Sequence, residues 1–520
     1  MKTNPEVGGG DGGGEDEKNA VYPFDAGAYT NVYVSGSGSD EAEGTEESPL
    51  ATLEEAYAKA LTGSFGRIVV LTNLSEDPDD GDSHKIPVTL NPFEEDATES
   101  AAAIVIEGRH YGLKIERSAE RNDSVIAITN GAHIVFKNIL INGKMPEPSL
   151  YHRALDIGGE YTKVTLDAGA KITGRKAGGE VTAPAVHGAG IRVYDKAQLV
   201  MDDGSSVEDC IEYNTGTSPC FGAVAVQTGA AFTMNEGSLI SENTVDSGGG
   251  VYVFSATDDS AKSAFTMNGG KISGNTATAP GTTADPGGGG GVYLYSAPTG
   301  TKRSAFTMNG GEISGNSTVA QGGGVKLEQS DFTMNNGGVI SGNTSGNAGG
   351  GVFAASTGTV VHANKANRGT FTMNGGEISG NTDSNHGGGG VGFTVGNFIM
   401  TGGEIHGNAA TNSGNDRGRG GGVLMSVHSF FEMTGGEISL NKGKEGGGVF
   451  IYYQNTCYFD IRETAVIYGT DHLKSNTSSV DGSGSVYVGA YSLNTYDGLD
   501  STSATVRGAN NPNTSGEFPD

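Results

Sequence analysis

The sequence predicts an all-β fold: a single-stranded, right-handed parallel β-helix (a solenoid) with a capping helix at its N-terminal end. Three observations predict it. A glycine-rich unit recurs along residues 232–451, with a constant core and variable spacing. Outside that region, strand-length apolar runs end in Gly, Asn or Asp, and beyond the first sixty or so residues no helical period separates them. Glycine fills 88 of 520 positions and charged residues are only 18%, a composition unlike that of helical proteins; without a strict Gly-X-Y period it is not collagen either.

The elements follow in chain order. Residues 1–24 are rich in glycine and acid, and 1–20 offer no apolar surface to bury, so a disordered acidic tether is expected. Residues 25–64 read as a cap: the strand NVYV, an acidic Gly/Ser loop, and an amphipathic helix over 49–61. Pro49 suits a first helical turn, and Leu53, Ala56, Tyr57, Ala60 and Leu61 share one face. Residues 65–458 are the β-helix, its first coils read from runs such as RIVVL, AAIVIEG, HIVFKNILING and AQLVMDDG. Residues 459–507 are degenerate last coils and 508–520 a polar tail.

The repeat is explicit from Phe232. FTMNEGSLISEN (232–243), FTMNGGKISGN (265–275) and FTMNGGEISGN (306–316) are followed by copies starting at Phe332, Phe371, Phe398 and Phe431. After each comes a polar loop, then GGGV and a short strand. Successive Phe positions lie 33, 41, 26, 39, 27 and 33 residues apart, so only the loops change length. Three short strands per unit, FTMN, xIS and VxVx, fit one turn of a β-helix and are too little for a propeller blade. Coils ~4.8 Å apart would align four interior ladders: Phe265 to Phe431, Met267 to Met433, Ile272 to Ile438 and Val251 to Val449. Asn275, Asn316, Asn343, Asn381, Asn408 and Asn441 fall at bends, where their amides can bond between coils.

The recurring GGGV with F-x-M-N and I-S-G-N resembles the GGA[ILV]/FxxN repeats of polymorphic outer-membrane (autotransporter adhesin) proteins, over roughly residues 230–450. The segment 31–61, with its SPLATLEEA, resembles the entry of secreted pectate-lyase-like β-helix proteins. The first resemblance implies an adhesin and the second a helix that caps the first coil. Two departures stand out: GGA is GGG here, and 459–520 holds no membrane β-barrel pattern. The Gly/acid segment 8–20 is similar to the tether of bacterial surface lipoproteins, whose anchoring cysteine this sequence lacks.

Three outward columns are candidate sites. Glu377, Glu404 and Glu437 precede the Ile ladder and would stack ~4.8 Å apart, a candidate Ca²⁺ site; solvated, splayed carboxylates are the competing explanation. Their spacing also suits a retaining glycosidase pair, but no Trp or sugar-clamping Arg stands near them in the repeat. Tyr252, Tyr293, Tyr295, Phe353 and Tyr452 alternate with inward residues of the strand after GGGV, a candidate ligand-binding face unless inserted loops cover it. Thr233, Thr266, Thr307, Thr333 and Thr372 form a column that ordinary β-propensity explains. Of the three cysteines, Cys210 and Cys220 are a candidate pair, with buried small side chains as the alternative.

The net charge is 32 − 61 = −29, and residues 1–100 hold 22 Asp/Glu against 5 Lys/Arg. Nucleic acid and anionic lipid are therefore not expected partners. No GxxxxGK[ST], HExxH or Cys/His cluster occurs, so no phosphate loop or zinc site is expected, and no cofactor beyond the candidate Ca²⁺. The first residues are polar, without the apolar stretch of a secretion signal, and the expectation is that a targeting segment has been removed. The expected function is that of a monomeric, non-enzymatic, adhesin-like protein, secreted or on a bacterial cell surface, that binds glycan or extracellular protein without inserting in a membrane. The rival is a polysaccharide lyase or glycoside hydrolase on the same scaffold, since fold does not fix function.

Overall fold

Alternate residues of a strand face opposite sides. In each FTM the structure, a computed structural model, turns Phe and Met inward and leaves Thr partly exposed. It describes residues 30–496 apart from 64–65, 76–87, 93–96, 111, 117–123, 144–152, 175, 180–188, 215–220, 258, 280–286, 299–301, 357–367, 413–416, 453–456, 469–472, 480–485 and 489–493. The expected tether and tail lie outside the described residues.

Each full coil carries four strands, and like strands of successive coils pair in parallel. The chain is thus a parallel β-helix. Among the described residues the Phe–Met sheet has fourteen strands, the Ile sheet thirteen, the Val sheet fourteen and a fourth, short sheet ten. The sequence reading gave three strands per coil. The fourth, such as Ser317–Thr318 or Thr344–Ser345, is two residues long and follows the Asn, where too few residues stand to show a period.

Registers follow the repeat. Phe pairs with Phe, Met with Met, Ile with Ile and Val with Val across the coils. Seven successive Phe–Phe contacts, from Phe232 to Phe459, hold ring centroids 4.5–5.0 Å apart. Offset stacking of this kind adds ~0.5–1.5 kcal/mol per pair to the burial itself. The asparagines form a second, polar spine. Asn316 Nδ2 donates to Asn343 Oδ1 (3.0 Å) and to the Ile272 carbonyl of the previous coil (2.9 Å). Asn343, Asn381, Asn408 and Asn441 repeat the pattern, all fully buried. Every amide hydrogen is used, so the bend closes without an unpaired buried group.

The GGG run has a local cause, seen at Gly322–Gly324. Gly322 has φ +70°, which a side chain disfavours. A Cβ on Gly323 or Gly324 would stand 2.4 or 2.7 Å from a carbonyl oxygen of the next coil. Stacking distance, not flexibility, demands these two glycines.

The cap helix is Leu53–Gly63, starting later than expected. Pro49 lies outside it because Leu50 pairs with Val34 as a parallel bridge. Thr52 caps the helix, its Oγ1 accepting from Glu55 N (3.2 Å), while Asp40 Oδ1 accepts from the backbone N–H of Ala51 and Thr52 (3.0 and 2.9 Å). Leu53, Ala56, Tyr57 and Ala60 join the solenoid core. The helix packs against Asn31–Val34 and Val88–Leu90, the first strands of the Phe–Met and Val sheets. At the other end the Val sheet closes on an antiparallel pair, Val486–Val488 with Asn494–Tyr496.

Cys210 is buried in the Asn position of its coil, its backbone N–H bonded to Asn243 Oδ1. Cys220 is outside the described residues, and so is the pairing expected of it.

Candidate binding groove

Two outward columns meet at the bend that enters the Val sheet. One is the residue before each GGG, or before Gly-Ala-Val in the case of Phe221, running from Phe221, Ser247 and Gly288 through Gln321, Ala348 and Gly387 to Arg419 and Glu445. The other is the residue after each GGGV Val: Tyr252, Tyr293, Lys326, Phe353, Gly392, Leu424 and Phe450, in register. What stands at this corner differs along the solenoid.

Toward the N-terminal side the corner is filled. Phe221 stacks on Tyr252 (4.5 Å between centroids), Tyr252 meets Tyr293 edge-on (5.4 Å), and Phe254 stacks on Tyr295 (5.6 Å). Tyr252 and Tyr293 are only 2% and 1% exposed, which overturns the expectation of an exposed aromatic strip there. Rungs ~4.8 Å apart place rings at stacking distance, so each covers its neighbour, and Phe221 seals the corner. Tyr293 also donates to Glu328 Oε2 (3.1 Å), and the buried Lys326 donates to the Gly287 carbonyl (2.6 Å) beside that ring. Tyr295 is half-buried, and burial, with Glu328 nearby, pushes its hydroxyl pKa up.

Three coils on, the corner is open. Ala348 on one column and Phe353 and Leu424 on the other border a cavity of about 570 Å³. The Phe353 ring leans over Gly392; a Cβ there would touch its Cδ2 at 3.3 Å. Phe353, Leu424 and Tyr452 supply apolar walls, and Gln321, Asn347, Thr394 and Ser426 supply neutral polar groups. Phe393, His386, Arg417 and Arg419 complete the lining. Arg419 is held in place: Nε donates to Glu445 Oε2 (2.7 Å), and the guanidinium lies 4.8 and 4.9 Å from the rings of Phe450 and Tyr452. Asp383 anchors the loop behind Gly387. It accepts from Ser345 Oγ (2.7 Å), Asn385 N (3.0 Å) and Gly387 N (2.6 Å), and burial pushes its carboxyl up to about 6 against these bonds.

So the five aromatic candidates divide. Phe353, itself buried against Ala348 and Ala355 rather than exposed as expected, and Tyr452 line the groove, Tyr252 and Tyr293 are sealed packing residues, and Tyr295 sits at the edge of that packing. His386, Arg417 and Arg419 were missed. Part of the signal was present in the repeat, as the changing residue before GGG, which is Arg419 in its coil.

The glutamates do stack in register, Glu377 with Glu404 and Glu404 with Glu437. Two of them have other partners: Glu377 lies 3.1 Å from His406 Nε2, and Glu437 pairs with Lys474 Nζ (2.8 Å). Burial opposes it, but Lys474 and Ser439 hold Glu437 below the usual carboxylate range. Among the described residues no three His, Cys, Asp or Glu side chains group to hold a metal. The Thr column is also in register, and Ile399 and Glu432 interrupt it.

Compared with known proteins, the chain matches no family model, no curated protein and no solved structure.

Proposed function

We propose that this chain is a non-enzymatic, adhesin-like glycan-binding protein, secreted or displayed on a bacterial cell surface, and that it grips its ligand in the groove lined by Phe353, Leu424 and Tyr452. The observation that carries this reading is the groove itself. Its volume lies within the ~300–1,000 Å³ of ligand sites, with an aromatic and aliphatic wall facing a ring of amides and hydroxyls. A sugar ring needs that pair: a flat face to stack on and neutral groups for its hydroxyls. Among the described residues the lining includes no Asp or Glu, whereas glycoside hydrolysis needs a carboxylate pair. The surface location rests on the polymorphic outer-membrane repeat pattern and on the Gly/acid segment 8–20. The helix that covers the first strands of the Phe–Met and Val sheets blunts the N-terminal edge, which favours a monomer.

A glycan array, followed by a depolymerisation assay on each polysaccharide retained, tests the reading. Retention without shortened products is expected. New reducing ends or unsaturated products would make the chain a lyase or hydrolase, and retention of no glycan would reject the proposal.

A further inference from the structure

We infer that the groove takes an acidic sugar: a hexuronate unit of a polysaccharide, its carboxylate on Arg417 and its ring beside Tyr452. This rests on the glycan-binding reading above and goes beyond it to the class of ligand. The chain as a whole is strongly acidic, with 61 Asp/Glu against 32 Lys/Arg. Among the described residues the groove lining reverses that balance, with two arginines, a histidine and no carboxylate. Such a site is a local sink for negative charge on a surface that otherwise repels it.

The three basic groups play different parts. Arg419 is spoken for by Glu445 and by the rings of Phe450 and Tyr452, so it serves as a fixed positive wall. Arg417 is exposed and makes no ion pair with a described residue. Its planar fork suits a carboxylate, which it can take with two parallel N–H···O bonds. His386 is oriented through Nδ1 by Asn347 Oδ1. Its Nε2 makes no hydrogen bond to a described residue and stands as a donor or acceptor for a hydroxyl. A neutral hexose would use the amides and the Tyr452 face but leave Arg417 unpaired. A uronate uses both.

The probes are alginate and hyaluronan oligomers, each beside its carboxyl-reduced counterpart, in which the carboxylates are neutral primary alcohols on the same rings. At least one acidic oligomer is expected to bind about tenfold or more tighter than its reduced form, a preference that shrinks with added salt. Arg417→Gln should abolish the preference, leaving acid and alcohol equal, and Arg417→Lys should restore part of it. Tyr452→Ala should weaken both forms alike. Melting curves of the three variants confirm that each is folded. Equal binding of acid and alcohol by the parent protein, or an undiminished preference in Arg417→Gln, overturns the inference. The glycan-binding reading survives that result if neutral sugars are retained, and fails with it if no sugar of any kind binds.

Discussion

The filled corner and the open corner are built on the same backbone. Both follow a GGG bend, both lie on the outer face of the Val sheet, and the inward Val ladder runs beneath both without interruption. They differ in what the two columns present. Where one sets Phe221, Tyr252 and Tyr293 together, the other sets Ala348, Phe353, Leu424 and Arg419. The first set makes a satellite core outside the solenoid. The second makes a cavity edged by cations. A repeat fold separates these jobs cleanly, because each coil leans on its neighbours and outward positions can change without disturbing the ladders.

The severest way to break the comparison is to strike what both corners share. Ile378 is fully buried between Ile340 and Ile405. Ile378→Asp would bury an unpaired carboxylate there and should lower stability by about 4 kcal/mol or more. Thr372, half-exposed on the Phe–Met sheet, should tolerate Ala within about 0.5 kcal/mol. Urea melts of the two variants check the inside–outside assignment.

The filled corner is next. Phe221→Ala with Tyr252→Ala removes two stacked, buried rings, and a loss of roughly 3 kcal/mol is expected, short of global unfolding. The same melts read it. A loss below about 1 kcal/mol would mean that the rings cover nothing.

A smaller effect sharpens the open corner. In the folded chain the Asp383 carboxyl keeps its proton to about pH 6, above its unfolded value. Its contribution to stability is therefore full below about pH 4 and is lost as pH rises through about 6. Between those limits the parent should lose about 2 kcal/mol relative to Asp383→Asn, which has no such step. Melting both proteins across that range shows whether the wall at Gly387 rests on a protonated side chain.

Much of this fold was legible in the sequence because a ladder repeats its residues. Phe, Met, Ile and Val recur at fixed places in each unit, and stacking makes each recurrence a contact, so in and out could be read from alternation alone. The asparagine spine was legible for the same reason. The short fourth strand was not, since two residues show no period. The groove was half legible. Phe353 and Tyr452 stood out as aromatics, but exposure was assigned from direction, and pointing outward is not the same as facing water. Tyr252 and Tyr293 point outward and are buried by one another. Ala348, the small residue beside the cavity, carries no chemistry of its own and matters only once the two columns are known to meet at one corner.

Titration calorimetry of acidic oligosaccharide on two double variants compares the corners directly: Phe221→Ala with Tyr252→Ala, and Arg417→Gln with Tyr452→Ala. The first should melt earlier and bind as the parent does. The second should melt within a few degrees of the parent and lose most of its affinity. Loss of binding in the first variant while folded, with binding intact in the second, would place the site at the aromatic corner and contradict the account.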